Sequence, residues 1–203
     1  MTAETPELLG WEAEGPTLRL DYRRFSYAGK FVMSSTGKAV IRGDPPTDTL
    51  DRDLPPELPD ADEYDQDVLA AVAFNTDRTD PGTLWLRYVT VRKDHRGEGL
   101  APELVGFVVE QASEHGYERV RIAVNNPYSY EALYAAGFGF TGDRTGLAEL
   151  VLEHPAPGYA TDRADSYRAG LDAFVTGDDH DLTEQERAFV AEKRERGPPG
   201  FPG

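Results

Sequence analysis

The chain has no cysteine among its 203 residues, so no disulfide framework, thiol nucleophile or cysteine-ligated metal can serve it. Lysine is almost as scarce: Lys30, Lys38, Lys93 and Lys193 are the only lysines among 21 basic residues, and arginine supplies the rest. Against 37 acidic residues this leaves a formal net charge of -16 and an isoelectric point near 4.6. Nucleic-acid binding through a general basic face is thereby excluded, since it needs many Lys or Arg on one surface. No apolar run reaches the roughly 18 residues that a membrane-spanning helix needs. The start Met1-Thr2-Ala3-Glu4 also lacks the basic and apolar regions of a secretory signal. We therefore expect neither a membrane nor a nucleic-acid partner, and a cytoplasmic address. His95, His115, His154 and His180 are scattered without metal-ligand spacing, so no metal is expected.

What is present is length enough for one ordinary domain with an appendage, and carboxylates in excess. Many Asp and Glu with few Lys and no Cys resemble the composition of proteins from salt-accumulating halophiles, where a heavily charged surface keeps a protein soluble in concentrated electrolyte. On that reading the acidity answers the solvent and says nothing about a substrate.

Hydrophobic patterning predicts strands over Thr17 to Tyr22, Lys30 to Ser35, Ala39 to Arg42, Val68 to Asn75 and Leu84 to Val91. Between them, Asp44 to Asp67 holds Pro45, Pro46, Pro55, Pro56 and Pro59 among aspartates, the composition of a surface loop or lid. Pro102 to His115 has apolar residues at helical spacing, Leu104, Val105, Val108 and Val109, and stops at Gly116. A strand over Arg119 to Val124, a short helix over Tyr128 to Ala136, and a strand pair, Gly139 to Gly142 with Ala148 to Glu153, follow. Strand, helix, strand implies a right-handed parallel crossover, and the hairpins around it imply a mixed sheet. Tyr159 to Phe174 and Thr183 to Arg194 read as two exposed helices, the second opened by a capping box of Thr183 and Glu186. Residues 12–155 are thus expected to form one mixed α/β (α+β) domain, 156–196 a helical extension, and 197–203 a tail without periodicity.

The segment from Val89 to Leu104 carries the most chemistry. A β-branched strand ends, Arg96-Gly97-Glu98-Gly99-Leu100-Ala101 turns, and a helix begins. Gly97 and Gly99 let backbone approach a ligand closely, Pro102 fits the first helical position, and the helix start offers N–H groups and a positive dipole end to a pyrophosphate. Arg87, Arg92, Lys93 and Arg96 put four bases into the ten residues from 87 to 96, leading into this turn, where phosphates would need compensation in an otherwise repulsive field.

With Asn126 and, eleven residues later, Gly137-Phe138, these motifs stand in the order of a known family. Leu84 to Phe138 closely, and Thr17 to Glu153 loosely, resembles the GNAT superfamily of acyl-CoA-dependent N-acyltransferases. The resemblance implies a mostly antiparallel mixed sheet with a central parallel β-α-β crossover flanked by helices, and acetyl-CoA as co-substrate. It implies CoA contacts from Val89, Val91, Arg96, Gly97, Glu98, Gly99, Leu100, Ala101 and Asn126. It also implies an oxyanion donor at the Val89 backbone N–H and a thiolate-protonating tyrosine on the helix after Asn126. Tyr134 is the candidate, with Tyr130 one turn earlier on the same face, although the family's tyrosine lies four residues before the glycine and here Leu133 holds that place.

No Glu or His stands on the strand around Trp85, Arg87 and Tyr88 to act as base. The expected activity is acetyl transfer to a primary amine of a small molecule or peptide by direct attack in a ternary complex. The rival is a fold-alike that binds CoA or a partner without turnover. Acceptor identity cannot be carried over, because the family's two helices after its first strand are replaced by expected hairpin strands, and a homodimer is left open. A dinucleotide-binding Rossmann domain is disfavoured by the missing Gly-x-Gly-x-x-Gly turn and acidic partner.

Overall fold

The computed structural model describes residues 5–47, 63–146, 149–156, 163–176 and 182–200. The middle of the proline-rich loop and the end of the tail lie outside the described residues. Among the described residues there are seven strands: β1 (Pro6–Gly10), β2 (Gly37–Arg42), β3 (Val68–Thr76), β4 (Thr83–Val91), β5 (Arg119–Val124), β6 (Gly139–Thr145) and β7 (Glu149–His154). Four α-helices accompany them: α1 (Leu100–Glu114), α2 (Pro127–Ala135), α3 (Arg163–Thr176) and α4 (Glu184–Arg196). The strands form one mixed sheet in the order β1-β2-β3-β4-β5-β7-β6. β4 and β5 pair in parallel from Thr83↔Arg119 to Leu86↔Ile122, joined through α1, while β1–β2, β2–β3, β5–β7 and β6–β7 are antiparallel. The expected mixed α/β architecture with its central crossover is what the chain adopts.

The chain divides into two compact units, one of residues 1–75 and 87–108, the other of residues 76–86 and 109–203. In the first unit β2 and β3 are buried almost throughout, so they read in sequence as continuous apolar runs rather than as alternations. Burial also explains how Ala70, Ala71 and Ala73, poor strand formers on an exposed surface, sit in β3. Leu18, Leu20, Phe25, Ala28 and Phe31 pack with Val40, Val68 and Ala71 into one cluster.

Two expected strands are absent from this unit. Across residues 17–22 the alternation is real, with Leu18 and Leu20 buried and Thr17 and Arg19 exposed, but it reports burial and not a ladder. Leu18 N–H donates to the Phe31 carbonyl (3.0 Å), and the Arg19 backbone exchanges bonds with Asp65 (2.7 and 2.9 Å). Residues 30–35 are turn and 3-10 backbone for a second reason. The ammonium of buried Lys38 donates to the carbonyls of Pro16 (2.5 Å), Met33 (2.7 Å) and Thr36 (3.1 Å), taking acceptors that a strand pairing would use. β1, which sequence reading missed, is a five-residue edge strand containing a proline and lies before the expected domain start at residue 12.

In the second unit β5 alternates buried and half-buried residues as a strand covered on one face does. Thr183 and Glu186 form the expected capping box of α4. α3 packs against α2 and β6, and α4 against α2 and α3, so both C-terminal helices contribute to this unit.

Candidate functional site

In the first unit β4 ends at Val91, a single 3-10 turn covers Lys93–His95, and the chain turns at Arg96 before α1 starts at Leu100. Gly97 and Gly99 both hold φ +89, a conformation that side-chain-bearing residues avoid, and a Cβ built on either would meet nothing within 4 Å. The glycines are therefore not demanded by packing. They leave open space over the backbone at the mouth of α1, whose first-turn N–H groups have no helical carbonyl to bond. The helix starts two residues earlier than expected, so Pro102 is its third residue and not its first, still inside the first turn, where its missing N–H costs nothing. Gly97, Glu98 and Gly99 are exposed, Ala101 half-buried, and Leu100 is buried as the anchor. This arrangement fits the pyrophosphate of a coenzyme A.

The nearby bases divide by what already occupies them. Arg92 is buried at 3 % exposure, and its guanidinium donates to Asp94 Oδ1 (2.9 Å), the Asp44 carbonyl (3.1 Å) and His95 Nε2 (2.8 Å). It ties the strand end to the loop after β2 and has no reach toward a phosphate. For Asp94, burial alone would raise the carboxyl pKa, but the Arg92 hydrogen bond and charge outweigh it and hold it below the usual range. Arg87 donates through Nε to Asn75 Oδ1 (2.5 Å). Arg96 is exposed at the turn and donates to Ser26 Oγ (3.0 Å), and exposed Lys93 has only its backbone N–H committed, to the Arg24 carbonyl (3.0 Å), among the bonds seen. Of the four bases that sequence reading grouped, Arg96 and Lys93 are the pair at the turn. Val89 and Val91 are half-buried on β4.

In the second unit Asn126 is the N-cap of α2. Its Oδ1 accepts from the Ser129 N–H (2.9 Å), and its Nδ2 donates to Ser129 Oγ (3.0 Å) and Asn125 Oδ1 (3.3 Å). The asparagine thus starts the helix, with Pro127 at N1.

Tyr134 has no exposed surface, and its hydroxyl lies in a closed ring of bonds. It accepts from the Phe140 N–H (2.9 Å) and bonds Ser166 Oγ (3.0 Å), which donates to the Phe140 carbonyl (3.1 Å). Since the serine proton goes to that carbonyl, the tyrosine proton goes to the serine. Tyr130 is equally buried and donates to the Tyr167 carbonyl (3.1 Å), and burial drives its pKa far up. Tyr167 stacks on Tyr130 (5.7 Å between centroids) and donates to Glu131. The acid expected on α2 is thus a hydroxyl already hydrogen-bonded within the fold, and the one-residue offset accounts for it. On a helix each residue turns the side chain by about 100°, so Leu133 occupies the family's place while Tyr134 faces β6 and α3.

Sequence reading saw α3 as an exposed appendage and so missed Ser166, Tyr167 and Gly170, the residues that receive the α2 tyrosines. Gly170 was the available signal: a glycine inside a helix leaves room for something, here the Tyr130 side chain, whose hydroxyl oxygen would lie 2.0 Å and nearest ring carbon 2.4 Å from an added Cβ.

Among the described residues no group of His, Asp and Glu is placed to hold a metal ion, and no helix is long and apolar enough to cross a membrane.

Comparison with known proteins adds three findings. The profile described as Acetyltransferase (GNAT) family matches residues 30–140, more than half of the chain. No curated protein matches significantly. Solved structures similar to this chain include nourseothricin acetyltransferase, at 22% identity over 60% of this chain and 66% of that one, with a TM-score of 0.44. They also include an IAA acetyltransferase from Bacillus cereus, at 16% identity over 73% of this chain and 97% of that one, TM-score 0.47. A third is the PaiA N-acetyltransferase of Thermoplasma acidophilum in complex with coenzyme A, at 13% identity over 44% of this chain and 55% of that one, TM-score 0.38. The chain spans just under two thirds of the length of the nourseothricin enzyme.

Proposed function

Because the chain belongs to the GNAT acetyltransferase family, we propose that it transfers an acetyl group from acetyl-CoA to a primary amine of a small molecule or peptide, by direct attack in a ternary complex. The observation that carries the reading is the turn Arg96 to Ala101: two glycines at φ +89, open space above them, and a helix N-terminus directly behind. When bound there, acetyl-CoA supplies the activated thioester. The backbone of Gly97 to Ala101 donates to its phosphates, Arg96 and Lys93 add compensating charge, and Val89 and Val91 pair with the pantetheine arm as an added strand would. The Val89 N–H stabilises the oxyanion as the amine adds to the carbonyl. The amine must arrive neutral and the departing sulfur must gain a proton. With Tyr134 and Tyr130 both committed to buried bonds, we assign proton exchange at both ends to water.

The protein works in the cytoplasm, on this reading, and its charge of -16 suits a concentrated electrolyte. The same committed tyrosines favour one alternative, a module that binds CoA or a partner without turnover. Free-thiol release from acetyl-CoA, measured against a panel of amines in molar KCl, separates the two. Amine-dependent thiol supports transfer, whereas CoA binding without amine-dependent thiol supports the module.

A further inference from the structure

The anion-binding turn contains an acid. Glu98 lies between the two glycines, is exposed, and would oppose a bound pyrophosphate wherever its carboxylate swung over the turn. It does not swing free: Glu98 Oε2 lies 2.8 Å from His95 Nδ1. The other ring nitrogen settles the direction of every bond in the chain. A guanidinium only donates, so Arg92 Nη2, 2.8 Å from His95 Nε2, makes that nitrogen an acceptor without a proton. A neutral ring then carries its hydrogen on Nδ1 and donates it to Glu98. Arg92 is itself fixed, buried and bound to Asp94 and to the Asp44 carbonyl, so the relay is anchored at its inner end. The charged groups facing His95 are Arg92, Glu98 and, at 3.9 Å from Nε2, Asp94.

We propose that His95 is a positioning residue for the phosphate turn, whose Nδ1–H holds the Glu98 carboxylate back against the Arg92 anchor and keeps the acid off the bound anion. The inference rests on the turn being the CoA site and adds the reason an acid is tolerated in it. It acts on binding through charge, not through contact with CoA.

Calorimetric titration of CoA into the wild type and three variants tests it. His95→Leu removes both bonds, frees the carboxylate and weakens binding about tenfold in 0.1 M salt, the scale of one unit charge near a polyanion at the surface. The double variant His95→Leu/Glu98→Gln returns to within about twofold of wild type, because the offending charge is gone. In molar KCl, where exposed charges are screened within about 3 Å, the His95→Leu defect shrinks. His95→Gln, whose amide oxygen accepts from Arg92 while its NH2 donates to Glu98, keeps near wild-type affinity, and so separates lost positioning from lost folding. Unchanged affinity in His95→Leu, or a double variant as weak as the single, overturns the proposal while leaving the turn as the CoA site. No CoA binding by the wild type removes the site and the proposal together.

Discussion

The two halves of the family motif, the turn before α1 and the helix α2, treat their polar groups in opposite ways. The turn at Arg96 to Ala101 keeps its polar backbone open: exposed glycines at positive φ, no packing over them, and a helix start behind. The helix α2 does the opposite. Asn126 is committed to its cap, Tyr134 to Phe140 and Ser166, and Tyr130 to the Tyr167 carbonyl. A polar group already bonded within the fold is less available to a ligand, and on that ground we propose the turn for binding chemistry, while the bonds of α2 serve architecture.

The comparison breaks first at Gly99. Gly99→Glu places bulk and a charge where backbone must meet phosphate, and calorimetry should record a loss of CoA affinity of more than about 100-fold, roughly 2.7 kcal/mol. The variant should still unfold cooperatively. Retained affinity would take the anion site away from the turn.

Gly170→Ala probes the other half. An alanine inside an exposed helix stabilises by about 0.5–1 kcal/mol over glycine. Here the added Cβ strikes the Tyr130 ring, and overpacking of this kind costs about 1–3 kcal/mol. The net expectation is a loss of about 1–2 kcal/mol in urea unfolding. A stabilised variant would mean that α3 does not hold the α2 tyrosines as described.

Salt should move the two properties in opposite directions. Raising KCl from dilute to molar screens the self-repulsion of a chain at -16 and should raise the melting temperature steadily. Across the same series CoA binding should weaken, because Arg96 and Lys93 lose their pull on phosphate. A flat melting curve would return the acidity to the list of functional clues.

Tyr134→Phe should show the smallest effect. Losing one hydroxyl from the ring through Phe140 and Ser166 costs about 1 kcal/mol of stability, with turnover within about threefold of wild type. A fall on the order of 10²-fold, the worth of a positioned general acid, would restore Tyr134 to the chemistry.

Much of the sheet was legible because β3, β4 and β5 are covered strands whose apolar residues announce themselves, and the turn was legible because glycine, proline and a helix start are local signals. β1 was not, since a five-residue edge strand with a proline gains its order from its neighbour β2. Residues 17–22 misled because burial alternates there without a partner strand, the backbone bonding to Phe31 and Asp65 instead. At the site, residue types were readable and their availability was not. That Arg92 is buried and Arg96 exposed, or that Tyr134 faces α3, depends on contacts 26 to 48 residues away in sequence.

The most direct test of the account is the backbone amide spectrum of the labelled protein as CoA is added. The largest shifts should fall on the N–H signals of Gly97, Glu98, Gly99, Leu100 and Ala101, with the Tyr134 and Phe140 amides little moved. CoA that binds while the turn amides stay in place would contradict it.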